Sequence, residues 1–209
     1  MIQNLFPSQI WKSSLNLENY IKEKILHDIE ENFEKNKSYL HPNWNCKIHT
    51  SLFEKNNINY SELIPYFKNE YEKFSEQINL LPHKYFIDET WYNYYLSGYN
   101  QEYHDHISGE NLDLYSIVYF LKLNDEHPKI TFYNYTNYHT FYTSNPQIKK
   151  IYRSDTINHS IVGMHYNLDV KEGDLIIFPS YLPHGVFVQK NNDSRITISL
   201  NIRLHQVKD

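Results

Sequence analysis

The stretch QEYHDHISGE, residues 101–110, sets His104, Asp105 and His106 side by side. Imidazole nitrogens and carboxylate oxygens are the donors that hold first-row divalent metals, so this segment reads as half of a metal site. In an extended chain residues i and i+2 point to the same face, which pairs His104 with His106 and turns Asp105 the other way. Two surface histidines at a strand end would show the same spacing, so the pair needs further donors to mean anything.

A further donor is supplied by EGDLIIFPSYLPHGV, residues 172–186. A turn at Glu172, Gly173 and Asp174 launches an apolar strand ending at Pro179, and His184 follows between Pro183 and Gly185, a stiff, close-packed setting for a fixed ligand. Three nitrogen donors on two separated strands hold a first-row metal and leave coordination positions open. A third segment, SRITISLNIRL, alternates Ile196, Ile198, Leu200 and Ile202 with Arg195, Thr197, Ser199 and Asn201. The polar face is either wet or, inside a closed barrel, anion-binding. In the second case Arg195 supplies a bidentate clamp for a carboxylate, with the Thr197 hydroxyl as an additional donor. His27, His41, His49, His83, His127, His139 and His205 stand in polar or helical contexts and are expected at the surface.

The positioning elements fall into two halves. Leu17, Ile21, Ile25, Ile29 and Phe33 recur every four residues and predict an amphipathic helix over 16–35. A second helix is predicted from Ser61, a plausible N-cap, through Phe67, Tyr71, Phe74 and Ile78, with Pro65 early, where its missing N–H is best tolerated. From Tyr85 onward the chain turns to short aromatic and β-branched runs broken by Asn, Gly, Asp and Pro, which predict seven to nine strands. The expected fold is mainly β with N-terminal α-helices, an α+β chain with two helices laid on a jelly-roll-like core. One domain spans 1–209, with a helical part at 1–84 and the β core at 85–209. Residues 136–158 show no period and read as a long loop, a lid if it borders a barrel mouth.

Net charge is −5 and no basic stripe is present, so nucleic acid is not an expected partner. No apolar run reaches the length of a membrane span. A single cysteine, Cys46, and an N-terminus without an apolar leader fit a reducing compartment, the cytoplasm, or the host's cytoplasm if the source is viral. Oligomeric state is not legible.

The order H-x-H, strand–P-x-x-x-x-H, then R-x-T eleven residues later resembles the 2-oxoglutarate and Fe(II)-dependent oxygenases, nearest to bacterial, phage and viral members related to prolyl hydroxylases. The phrases NLFPSQIW, TWYNYYLSGYNQEYHDH, LYSIVYFLKL and EGDLIIFPSYLPHGV leading to RITISLNI carry the likeness. The resemblance implies a double-stranded β-helix (jelly roll) core and an iron held by His-x-Asp/Glu…His. It also implies 2-oxoglutarate chelating that iron, with an arginine on its distal carboxylate. Carried over, His104 is the first ligand, His184 the distal histidine and Arg195 the clamp, and no catalytic residue is expected beyond the metal ligands. The departure is at position 106, a histidine where the family carries an acid. Either His106 completes a three-histidine face, the favoured reading, or an acid such as Asp105, Glu110 or Asp113 swings in. Trp91, Tyr95 and Phe120 would wall the pocket or pack the core. The implied activity is a dioxygenase, a hydroxylase of a peptidyl or small-molecule substrate, with 2-oxoglutarate, O2 and an unidentified substrate as partners. The alternatives are a cupin-like metalloenzyme that does not use 2-oxoglutarate, with HDHISGE read as H-x-H-x-x-x-E, and a non-catalytic jelly-roll binding protein.

Overall fold

The computed structural model describes residues 8–37, 44–53, 58–107, 113–134 and 165–204. In chain order these form β1 (Trp11–Ser14), α1 (Asn19–Asn36), β2 (His49–Thr50), α2 (Ile64–Gln77), β3 (Tyr85–Tyr95), β4 (Gln101–His104), β5 (Asp113–Lys122), β6 (Ile130–Tyr133), β7 (His165–Asn167), β8 (Asp174–Pro179), β9 (His184–Val186) and β10 (Arg195–Leu204). The six-stranded sheet has the order β1-β8-β5-β10-β3-β2 and the four-stranded sheet β4-β9-β6-β7, with every pairing antiparallel. Two such facing sheets make the jelly roll.

Strand alternation decides what each face does. On β10, Ile196, Ile198, Leu200 and Ile202 are fully buried and pack in one cluster with Ile21, Ile25, Ile29 and Phe33 of α1 and Phe67, Tyr71 and Phe74 of α2. Each such side chain contributes about 1.5–3 kcal/mol relative to exposure, so this apolar layer holds the helices on the sheet. The opposite face of β10 looks toward the small sheet and carries Arg195, Thr197 and Ser199, all buried. Val118, Phe120, Ile176 and Phe178 join Ile130 and Phe132 in a second cluster between the sheets.

Some expectations are corrected. The helical part also contributes β1, paired with β8, and β2, paired with β3, so the N-terminal segment extends both edges of the large sheet. Ser61 opens a turn rather than a helix, and α2 starts at Ile64 with Pro65 in its first turn. His49 and His127 are buried, against the surface expected of them. Phe33 and Tyr92 flank the His49 ring, whose Nε2 lies 2.9 Å from the Tyr92 hydroxyl. The Nδ1 of His127 accepts from Asn124 N in the turn after β5. His41, His139, His205 and the loop 136–158 lie outside the described residues. Among the described residues no helix is long and apolar enough to cross a membrane.

Candidate metal centre

Strand β4 ends at His104 and pairs with β9 so that His104 stands opposite His184. Beyond β4 the chain stays anchored, because His106 N donates to Ser180 O at 2.9 Å. Strand parity therefore persists to residue 106. His104 and His106 face the barrel, while Asp105 is exposed and its Oδ1 accepts from Ile107 N at 3.1 Å. One candidate donor atom from each of His104, His106 and His184 lies within 4.8 Å of the others, and this is the metal-competent His/Cys/Asp/Glu group among the described residues. The His104–His184 ring centroids are 4.4 Å apart, His106–His184 5.1 Å and His104–His106 5.3 Å.

Hydrogen bonds fix which nitrogen each ring offers. The Nδ1 of His104 is 2.9 Å from Glu102 O, and that of His184 is 3.0 Å from Leu182 O. A carbonyl only accepts, so both rings carry hydrogen on Nδ1 and keep the Nε2 lone pair. The Nδ1 of His106 lies 2.8 Å from Asn201 Oδ1, with the same result. Burial lowers the pKa of all three: His106 falls to about 4, with the His104 charge adding to the effect, and His184 falls well below the ordinary value. The site is a cluster of neutral imidazoles at neutral pH, which need lose no proton to bind a cation.

This predicts a pH effect on the metal-free protein. An unfolded histidine titrates near about 6.5, whereas folded His106 resists protonation to about 4. Between those values the unfolded chain binds more protons, so the stabilisation is complete above the upper value and declines as pH falls toward the lower. Thermal melts across that window should fall steadily with acidification. A flat profile would contradict the burial of the cluster.

The close approach of β4 and β9 requires Gly185. A Cβ there would lie 2.9 Å from Gln101 O and 3.2 Å from Glu102 O, the carbonyl that orients His104. Gly185→Ala is expected to destabilise the protein by about 1–3 kcal/mol through overpacking and to weaken metal binding. Unchanged melting and metal affinity would count against this packing.

Arg195 is 1% exposed, with its guanidinium over the rings of Tyr95 at 4.6 Å and Phe120 at 5.8 Å. Its Nε and Nη1 have no hydrogen-bond partner in the protein. A buried charge with unused donors is costly unless an anion meets it. Burial lowers its pKa, opposed by the neighbouring Tyr95 hydroxyl. That hydroxyl donates to Gln101 Oε1 at 2.7 Å, and Gln101 Nε2 donates to His104 Nε2 at 3.3 Å, so one chain of polar side chains joins the arginine to the histidines, its last link being one that a metal on His104 Nε2 would replace. Thr197, buried, shares the inner face of β10 with Arg195. Tyr95 and Phe120 both lie against the guanidinium, and the Trp91 and His106 ring centroids are 5.9 Å apart.

Beside His104 and His106 opens a cavity of about 470 Å³ whose walls include Trp44, Phe53, Trp91, Glu89, Asp105 and Arg203. Asp113 accepts from Arg203 Nε at 2.9 Å and from Asn201 Nδ2 at 3.3 Å. Glu110 lies outside the described residues. Gln101, Ser116 and Asn201 were not singled out as site residues in the sequence, although the inward parity of Asn201 follows from that of Arg195.

Residues 89–201 match the family described as "Putative 2OG-Fe(II) oxygenase", a span of more than half the chain that contains His104, His106, His184, Arg195 and Thr197. The chain belongs to the 2-oxoglutarate–Fe(II) oxygenases. No curated protein matches it in sequence. Its fold is similar to that of a Pseudomonas putida prolyl-4-hydroxylase, with 11% identity, 94% of this chain and 92% of that one covered, and a TM-score of 0.55. The viral collagen prolyl hydroxylase of Paramecium bursaria Chlorella virus-1, in its 2-oxoglutarate complex, shows 13% identity over 94% and 96% of the two chains, TM-score 0.55. HygX from Streptomyces hygroscopicus, with nickel and 2-oxoglutarate bound, shows 9% identity over 95% and 84%, TM-score 0.57. As a member of this oxygenase family the protein takes Fe(II) and 2-oxoglutarate. The donor set fits that pair: converging imidazole nitrogens for a divalent metal, and a buried guanidinium with two unpartnered nitrogens for a dicarboxylate.

Proposed function

We propose that this oxygenase is a hydroxylase in which His104, His106 and His184 hold Fe(II) through Nε2, while Arg195 and Thr197 bind the distal carboxylate of 2-oxoglutarate. The observation that carries the reading is Arg195, whose buried and unpartnered nitrogens sit one side-chain chain away from the histidines. A cupin-like site has no use for such a cation. Bound Fe(II) and 2-oxoglutarate together supply O2 reduction, with 2-oxoglutarate leaving as succinate and CO2 and one oxygen atom entering a C–H bond of the substrate.

The protein's own share is placement. Glu102 O, Leu182 O and Asn201 Oδ1 orient the imidazoles. Three neutral donors leave the metal with more positive charge than a carboxylate-containing set would. Arg195 fixes the co-substrate in one direction, and Phe120, Phe132 and Phe178 keep the interior behind the histidines dry. No side chain is assigned as a proton carrier. The cavity beside His104 and His106 takes the substrate. Its carboxylates, Glu89, Glu102, Asp105 and Asp113 against Arg203, favour an uncharged or cationic group over an anionic one. The prolyl hydroxylases of like fold support a peptidyl side chain, and the cavity's aromatic walls accept a small molecule equally. We place the whole chain in one domain and the protein in the cytoplasm, the single Cys46 supporting the latter.

The test is succinate formation from 2-oxoglutarate in air with Fe(II), run against matched basic, neutral and acidic peptides and small molecules. Turnover stimulated by basic or neutral members, with one oxygen atom of 18O2 in the product, is expected. Stimulation by acidic members alone would reverse the assignment of the cavity.

A further inference from the structure

A neutral imidazole carries one hydrogen on either nitrogen, and only the form with hydrogen on Nδ1 can ligate through Nε2. In His104 and His184 that choice is made by the carbonyl two residues earlier, Glu102 O and Leu182 O. A carbonyl cannot change sense. His106 is held instead by a side-chain amide, Asn201, whose Oδ1 lies 2.8 Å from its Nδ1. An amide can present either oxygen or NH2, and rotated by half a turn it would donate to Nδ1, move the hydrogen to Nε2 and disable His106 as a ligand.

What stands behind the amide removes that freedom. The register of β10 against β5 sets Asn201 opposite Ser116 and Arg203 opposite Asp113. The Oδ1 of Asp113 accepts from Arg203 Nε at 2.9 Å, and its Oδ2 lies 3.3 Å from Asn201 Nδ2. An ionised carboxylate only accepts, so the Asn201 NH2 must face Asp113 and its oxygen must face His106. The Ser116 hydroxyl, 2.9 Å from both Asn201 Oδ1 and His106 Nδ1 and 3.0 Å from Ser180 Oγ, donates to the same oxygen. An aspartate at position 201 would set two carboxylates against each other. The residue must be an amide, because it accepts on one side and donates on the other.

We propose that Asp113, acting through Asn201, sets the tautomer of His106 and so allows an imidazole to serve where related sites carry a carboxylate. Asp113 and Asn201 are positioning residues. The proposal rests on the three-histidine metal site and adds how its unusual member is specified.

Asp113→Asn reverses the relay. Arg203 keeps the new amide's oxygen, its NH2 turns to Asn201, and Asn201 rotates to donate to His106. In long-range 1H–15N spectra of the full-length, metal-free protein labelled with 15N-histidine, the wild type should show hydrogen on Nδ1 for all three rings. In Asp113→Asn, His106 alone should move to the Nε2–H form, and Co(II), read by its visible absorption, should bind about 10- to 100-fold more weakly. Asn201→Leu, which removes the acceptor without a charge change, should give a mixture of tautomers at His106 and serves if Asp113→Asn does not fold. An unchanged His106 tautomer in the folded variants would overturn the relay. His106→Ala in the same Co(II) titration separates the two claims. Wild-type affinity there would remove the three-histidine reading itself, whereas lost affinity with an unchanged tautomer in Asp113→Asn would remove the relay alone.

Discussion

Replacing Arg195 with methionine is expected to weaken 2-oxoglutarate binding by at least about thirty-fold and at the same time to raise the melting temperature of the co-substrate-free protein. The two effects have one cause. Arg195 is the largest fully buried side chain described, it carries a charge, and two of its nitrogens have no partner within the protein. Exchanging a buried, unsatisfied charge for an unbranched apolar side chain removes a desolvation cost, and comparable replacements of buried charges stabilise by about 1–4 kcal/mol, or several degrees in a chain of this size. The dicarboxylate then meets no guanidinium. Losing one partner of a buried charge pair costs about 2–5 kcal/mol of binding, roughly a thirty-fold to several-thousand-fold rise in Kd. A merely structural arginine would behave in the opposite way, with a lower melting temperature and 2-oxoglutarate affinity intact. Calorimetric titration with 2-oxoglutarate, alongside thermal melts without it, distinguishes the two.

Replacing His106 with alanine is expected to lower metal affinity by more than about 100-fold, a larger loss than changes behind the ligands produce. Asp105→Ala is expected to leave affinity unchanged. The pair isolates the position at which the sequence carries histidine where the resemblance implies an acid. Asp105 is exposed and its carboxylate accepts from the backbone of Ile107, whereas His106 points toward His104 and His184. His106→Asp, which would restore the usual residue type, should recover only part of the affinity, because its carboxylate would meet the oxygen of Asn201 rather than a donor. Metal titration of the three variants is the measurement. Normal affinity in His106→Ala with loss in Asp105→Ala would move the third ligand to the acid.

Parity made much of this readable from sequence. An H-x-H in an extended chain must share a face, and the alternation of Ile196 through Ile202 with Arg195 through Asn201 fixes two faces of one strand whatever the topology. What parity leaves open is where each face looks. Both faces of β10 are buried, the apolar one under the helices and the polar one between the sheets, so the wet-surface reading of Arg195 and Thr197 fails only once the second sheet is in place. Strands β1 and β2 were not legible, because four and two residues are too short for a period and both are defined by their partners. His49 looked like a surface residue because its burial depends on Phe33 and Tyr92, neither adjacent in sequence. The same applies to Asn201 and Asp113, which meet across a strand pairing 88 residues apart in the chain. The cavity walls Trp44, Leu52 and Phe53 lie outside the residues that match the family, where residue types alone carried no signal.

The proposed site for Fe(II) and 2-oxoglutarate joins the His104, His106 and His184 cluster to Arg195. Anaerobic absorption titration of the protein with Fe(II) and then 2-oxoglutarate tests it most directly. A weak visible charge-transfer band saturating at one equivalent of each is expected, and it should be absent at that ratio in both His106→Ala and Arg195→Met. No band in the wild type, with no metal retained by elemental analysis, would contradict it.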